Sequence, residues 1–236
     1  MGNRSHFVVC CCVEVFLACI LSSLLLHIAG HGRLMEPPNR SSLWRFPEFD
    51  QHAPPINYND NELFCGGFPA QHEFNGGRCG VCGDNYNDTR PRANEHKGQY
   101  GNGIISRNYT QGQNITSVVE LTFGHLGHFE FRLCKLQDSA QTEAEDCFDQ
   151  YLLSLADGSG TKFPVPDLGA HWYRVDLTLP EELECEHCVL QWHYVAGNSW
   201  GNCGNGTEAI GCGPQETFRG CSDIAISLAG NATDSH

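Results

Sequence analysis

The chain has 236 residues, and 28 acidic against 14 basic side chains give it a formal charge of −14 at neutral pH. An acidic surface repels phosphate backbones and anionic bilayers, which excludes electrostatic binding of nucleic acid or membrane; a neutral partner such as a carbohydrate meets no such penalty. The length suits one well-packed domain.

In chain order, residues 1–30 read as a secretory signal peptide. Arg4 lies early, an apolar run extends from Phe7 to Leu26, and Ala29-Gly30 puts small residues at a cut before polar His31-Gly32-Arg33. An uncleaved anchor is the alternative, because the run is long enough to cross a bilayer. Residues 31–236 are expected as a single secreted, monomeric domain with no membrane contact after cleavage. Cysteine usage agrees: Cys10, Cys11, Cys12 and Cys19 leave with the signal, and the ten that remain permit five disulfides. N-glycosylation triplets begin at Asn39, Asn87, Asn108, Asn114, Asn205 and Asn231, as expected of a glycoprotein from the secretory route.

From Met35 to about Gly103, Pro37-Pro38, Pro54-Pro55, Gly66-Gly67 and Gly76-Gly77 interrupt any periodicity, and long disulfide-pinned loops are expected. Beyond them, β-branched and aromatic runs predict strands over 104–109, 115–123, 128–134, 172–179, 188–195 and 222–228. In 128–134, Phe129, Phe131 and Leu133 alternate with His128, Glu130 and Arg132, which predicts one buried and one wetter face. Residues 143–155 have room for about one helical turn before Pro164 and Pro166. Short strands without intervening helices give an all-β fold, an antiparallel immunoglobulin/fibronectin-III-like β-sandwich.

Cleavage after Gly30 would leave His31 with an imidazole and a free α-amine on one residue, two nitrogens that can chelate a single metal. A second imidazole would complete three nitrogen ligands, a set that suits copper. The α-amine, with a pKa of about 8, can release its proton to bind near neutral pH. An ordinary frayed terminus is the bland alternative.

The residues downstream of His31 decide between them. The segment His31-Gly32-Arg33-Leu34-Met35-Glu36-Pro37-Pro38-Asn39-Arg40 resembles the mature start of the animal-type lytic polysaccharide monooxygenases, auxiliary activity family fifteen. Further stretches match in order: 59–67, 79–84, 127–134, 156–160, 188–192, 196–201 and 211–218, which includes Gly213-Pro214-Gln215-Glu216-Thr217-Phe218. The resemblance covers nearly all of the mature chain. It implies one copper ion bound by His31 and His125, with Phe218 as an apolar wall on the axial side. It also implies oxidative cleavage of crystalline polysaccharide, chitin or cellulose, with O2 or H2O2 and an external electron donor. His125 is placed in a loop, Gly124-His125-Leu126-Gly127, and His128 competes with it for the role. The remaining mature histidines, His52, His72, His96, His171, His187, His193 and His236, read as solvent-facing. One departure is Phe123, where the family more often has a small residue.

The pairs Cys79/Cys82 and Cys185/Cys188 have zinc-ligand spacing, but secretion favours disulfides, whose pairing order the sequence leaves open. No carboxylate pair stands out for hydrolytic glycosidase chemistry. The rival readings are a non-catalytic carbohydrate-binding protein with aromatic loops around Trp44, Tyr58 and Tyr86, and a copper carrier.

Overall fold

The computed structural model describes residues 31–138 and 140–229, so the expected signal, the Asn231 triplet and His236 lie outside the described residues. The strands are β1 (His31–Glu36), β2 (Arg107–Thr110), β3 (Asn114–His125), β4 (His128–Lys135), β5 (Tyr151–Leu152), β6 (Ser154–Leu155) and β7 (Phe163–Pro164). They continue as β8 (Leu168–Thr178), β9 (Cys185–Val195), β10 (Trp200–Asn202), β11 (Glu208–Ile210) and β12 (Thr217–Ser227), with one helical turn, α1 (Glu145–Phe148), inside the expected 143–155 window.

Two sheets make the sandwich. One runs β1-β3-β8-β6; the other runs β2-β12-β9-β4-β5, with β7 also on β4. Their inner faces share one core, to which Leu34, Val119, Leu121, Val175 and Leu177 come from the first sheet and Phe129, Phe131, Leu190, Trp192, Tyr194, Phe218 and Ile224 from the second. The pairings are antiparallel except for β2, which runs parallel to β12, a departure from the wholly antiparallel expectation. The strand from His31 was also not among those expected, because Gly32, Glu36 and Pro37 lower its β signal. Packing requires the glycine: a Cβ on Gly32 would sit 2.4 Å from Leu121 Cδ2.

The alternation predicted for β4 fails at Glu130, which is buried. Charged neighbours enclose it, with Arg132 Nη2 at 3.0 Å, Lys162 Nζ at 3.6 Å and His128 Nε2 at 3.7 Å. Farther along the same face lies a third layer. The segment 37–103 folds over the outer face of the second sheet, where Val81, Cys82, Leu136, Phe148, Val189 and Cys221 form a smaller core. This layer is more ordered than the expected loops, with 3-10 turns at Arg40–Arg45 and Pro47–His52 and a π turn at Pro69–Phe74. Asn39 caps the first of these, accepting from the Ser41 backbone N–H, and is 1% exposed, so its triplet is inaccessible to glycosylation in the folded chain. Asn87, Asn108, Asn114 and Asn205 are exposed.

The disulfides are Cys65–Cys79, Cys82–Cys221, Cys134–Cys147, Cys185–Cys188 and Cys203–Cys212. One Cys-x-x-Cys closes on itself. In the other, Cys79 and Cys82 pair apart, and Cys82–Cys221 staples the loop layer to β12.

Buried charge ties the same layers together. The guanidinium of Arg40 donates to both oxygens of Asp223, at 2.8 and 2.6 Å, to the Asn94 carbonyl at 2.9 Å, and to Glu143. Burial alone would push the Asp223 carboxyl up, but Arg40 and His187 outweigh it and hold it well below the usual range. His128 and Arg132 likewise hold Glu130 down, at about 2. Carboxyls depressed in the folded state contribute stability that is present above their unfolded pKa of about 4 and is lost as pH falls through the folded values. Thermal melts of the metal-free protein are therefore expected to decline gently below about pH 6.5, where the unfolded chain protonates the histidines that burial keeps neutral in the fold, His193 and His96, and to fall steeply between about pH 4 and 2. A flat profile through that window would show that these ion pairs carry no net stability.

Candidate metal centre

The site stands where the ends of β1, β3 and β12 meet. His31 pairs with Phe123 across β1 and β3, so the strand register brings residue 31 beside the last turn of β3. Its other edge is held by the 59–62 loop, where the Gly32 N–H donates to Asn61 O at 3.0 Å; from β3 itself Thr122 Oγ1 donates to His31 O at 3.3 Å. Asp60 anchors that loop, accepting from Arg33 Nη1 and Ser42 Oγ at 2.8 Å and from Arg45 Nη2 at 2.9 Å. The outcome is Glu62 Oε1 at 3.3 Å from His31 Nε2.

His125 is the last residue of β3 rather than a loop residue, and it is 4% exposed. Its backbone N–H donates to Tyr194 Oη at 2.8 Å, while the Tyr194 hydroxyl donates to Leu126 O at 2.6 Å. Its Nδ1 lies 3.2 Å from Glu216 Oε2, and Phe123 meets the ring edge-on at 5.5 Å between centroids. The chain then turns through Leu126 and Gly127, both at positive φ, and passes into the other sheet. Only glycine fits at 127, where a Cβ would lie 2.0 Å from Val195 O. That corner separates the two competing histidines. His128 opens β4, and its Nε2 is 3.7 Å from Glu130.

Phe218 lies inside β12, which begins at Thr217 rather than at Ser222 as the sequence suggested. Its ring is fully buried, stacked on Tyr194 at 5.6 Å and tilted against Phe64 at 6.1 Å. It backs the site through Tyr194, which touches both Phe218 and the His125 amide. Sequence reasoning missed Glu62, Glu216 and Tyr194. Glu216 lies within the 211–218 stretch that carries the family resemblance, but nothing local singles out one carboxylate among 28 acidic residues.

The two histidines have complementary free nitrogens. His31 is engaged at Nε2, leaving Nδ1, the nitrogen that could close a chelate ring with the α-amine that cleavage before His31 would free; His125 is engaged at Nδ1, leaving Nε2. Carboxylates on the far nitrogens fix ring orientation and raise ligand basicity, the usual support of a histidine metal site. The donor set fits copper.

Around it the surface is open and apolar. Leu168, opposite His125 in the β3–β8 register, is exposed, and so are Trp200 and Ile210, which face each other across the β10–β11 hairpin. Gln215 locks that hairpin to the start of β12: its Nε2 donates to Cys212 O at 2.7 Å and its Oε1 accepts from the Ser199 N–H at 3.0 Å. Four concavities elsewhere are lined by neither histidine. Tyr86 is held by Arg78 and Arg92 against its ring, whereas Tyr58 is 76% exposed and packs edge-on against Trp44. The expectation that the other histidines face solvent fails for His96 and His193, both buried.

Comparison with known proteins agrees with this geometry. The family model described as "Lytic polysaccharide mono-oxygenase, cellulose-degrading" matches residues 31–224, starting at the first residue of β1. A solved lytic polysaccharide monooxygenase of family AA15 from Thermobia domestica, in the Cu(I) state, is 51% identical, with a TM-score of 0.80 over 85% of this chain and 100% of that one. No curated protein matches the chain. The chain belongs to the lytic polysaccharide monooxygenases, of the animal-type family AA15.

Proposed function

We propose that this copper-dependent polysaccharide monooxygenase is secreted as a mature monomer beginning at His31. One copper ion is then held by the α-amine and Nδ1 of His31 and by Nε2 of His125. The observation that carries this reading is the pairing of Glu62 with His31 Nε2 and of Glu216 with His125 Nδ1, which leaves the remaining ring nitrogens for metal. When bound and reduced by an external donor, copper supplies the redox chemistry with O2 or H2O2 that oxidises carbon next to a glycosidic bond.

The chain's own residues do the rest. Glu216 orients the His125 ring and Tyr194 its backbone, Phe218 and Tyr194 wall the inner side with apolar surface, and the 59–62 loop holds His31 against β3. Leu168, Trp200 and Ile210 offer exposed apolar surface on which sugar rings of an insoluble chain, chitin or cellulose, can stack.

Mass spectrometry of soluble products from chitin and from cellulose tests the function. With copper and a reductant, oligosaccharides with oxidised ends are expected; their absence from both, with copper bound, would support the carrier reading instead. Trp200→Ala is expected to weaken retention on the productive polysaccharide roughly threefold to tenfold. Unchanged retention would move the binding face away from the hairpin. Glu216→Ala is expected to weaken copper binding by about 10- to 100-fold, read by competition with a chelator of known affinity. Unaltered affinity would leave Glu216 without a positioning role.

A further inference from the structure

A second constellation of metal-binding side chains lies along β12, away from the copper site. His96, His187 and Asp223 each present a ligand atom, and the three atoms lie within 4.8 Å of one another. His187 Nε2 is 2.7 Å from Asp223 Oδ1, and the His96 and His187 rings meet edge-on at 4.9 Å between centroids. Asp223 is five residues along the strand from Phe218, roughly 17 Å at the strand rise. We propose that His96, His187 and Asp223 form a structural zinc site, with water as the fourth ligand.

Three features support it. Nδ1 of His96 is buried without a hydrogen-bond partner, in a side chain otherwise enclosed. The surrounding charge leaves room for a cation: the buried carboxylates of Asp223 and Glu143 share the guanidinium of Arg40, and with His187 neutral, as a metal ligand must be, one formal negative charge remains. The ligands are also held in place beforehand. The His96 N–H donates to both Glu143 oxygens at 3.1 Å, and the 92–103 loop around it is tightly wound, with Gly101 so close that a Cβ would meet Glu95 O at 1.9 Å. His187 remains partly open to solvent, which provides a path for the ion. Two imidazoles and one carboxylate with an open fourth position suit zinc. The ion would tie the loop layer to β9 and β12, beside the Arg40 network, Cys82–Cys221 and the bonds from Ser222 Oγ to Pro37 O and from Gln191 Nε2 to Val81 O.

The test uses the mature chain carrying His125→Ala, which removes one ligand of the copper site, after complete metal stripping. Titration with zinc against a chromophoric chelator is expected to show one zinc per chain. At zinc about a hundredfold above the dissociation constant, melting is expected to rise by roughly 5–10 °C. Adding His187→Ala, or separately His96→Gln, is expected to lower zinc affinity at least about a hundredfold and to abolish the melting shift. His96→Gln keeps the backbone contact to Glu143, so it reports on the site even if loss of the His187–Asp223 contact impairs folding. Absence of bound zinc in the His125→Ala protein would overturn the proposal. Zinc whose affinity ignores both changes would also overturn it, since that ion would belong to the residual His31 chelate.

Discussion

A chain carrying one extra residue ahead of His31 is expected to lose copper affinity by at least about a hundredfold and to release no oxidised oligosaccharide. The α-amine and Nδ1 of one residue close a chelate whose geometry is set by the residue itself, and an amide nitrogen in place of the amine has no lone pair to offer near neutral pH. The extension leaves the rest of the frame alone. Gly32 to Glu36 still pair with β3, and Asn61 still accepts from the Gly32 N–H, so the metal-free protein should melt at an unchanged temperature. Electron paramagnetic resonance of the Cu(II) forms provides the direct readout. An axial, nitrogen-rich signal is expected from the mature chain and an altered one from the extended chain. Identical spectra and affinities would remove the free terminus from the ligand set, and with it the dependence on cleavage after Gly30.

Arg40→Ala is expected to cost about 3–5 kcal/mol of stability without touching either copper histidine. Arg40 is 2% exposed and lies between Asp223 and Glu143, both also buried, so its removal leaves Glu143 without its cation and Asp223 with His187 alone. For a domain of this size that corresponds to a melting temperature lower by roughly 6–20 °C. Arg40→Lys should recover only part of the loss, because a point charge cannot donate to both oxygens of Asp223 and to the Asn94 carbonyl at once. Thermal unfolding of metal-free protein followed by circular dichroism would measure it. A drop of less than about 2 °C for Arg40→Ala would mean that the carboxylates find protons or water at little cost.

Neither effect is visible at the level of local sequence pattern. Arg40 reads as one cation in a Pro- and Asn-rich stretch, and its partners lie 103 and 183 residues away. The same separation explains why alternation in β4 misled: a period of two reports which residues share a face, but on the wetter face Cys134 packs into the smaller core with Val81 and Cys82, and Lys162 helps to enclose Glu130. Loop composition predicted breaks in regular structure; it could not predict what the loops would cover.

Strand content was legible where β-branched and aromatic runs were long. The expected ranges 115–123, 128–134, 172–179 and 188–195 lie within or largely overlap β3, β4, β8 and β9. Short elements escaped, namely β1, the β10–β11 hairpin and the two-residue strands, because pairing partners rather than their own residues stabilise them. The start of β12 was also set too late, since Gly220 and Cys221 interrupt the apolar run while the ladder to β9 continues through them.

By itself the sequence determined the all-β class, the disulfide chemistry of the ten cysteines beyond residue 30, and the histidine at which the family pattern begins. These are properties of composition, order and local chemistry, and a single chain carries them directly. Only the tertiary structure decided that His125 ends β3 while His128 opens a strand of the other sheet, that Glu62 and Glu216 each face one particular ring nitrogen, and that Cys79 and Cys82 go to different partners. Each of those outcomes depends on strand register and on a corner between two sheets, where contacts are made between residues tens to more than a hundred positions apart and no local signal encodes the pairing.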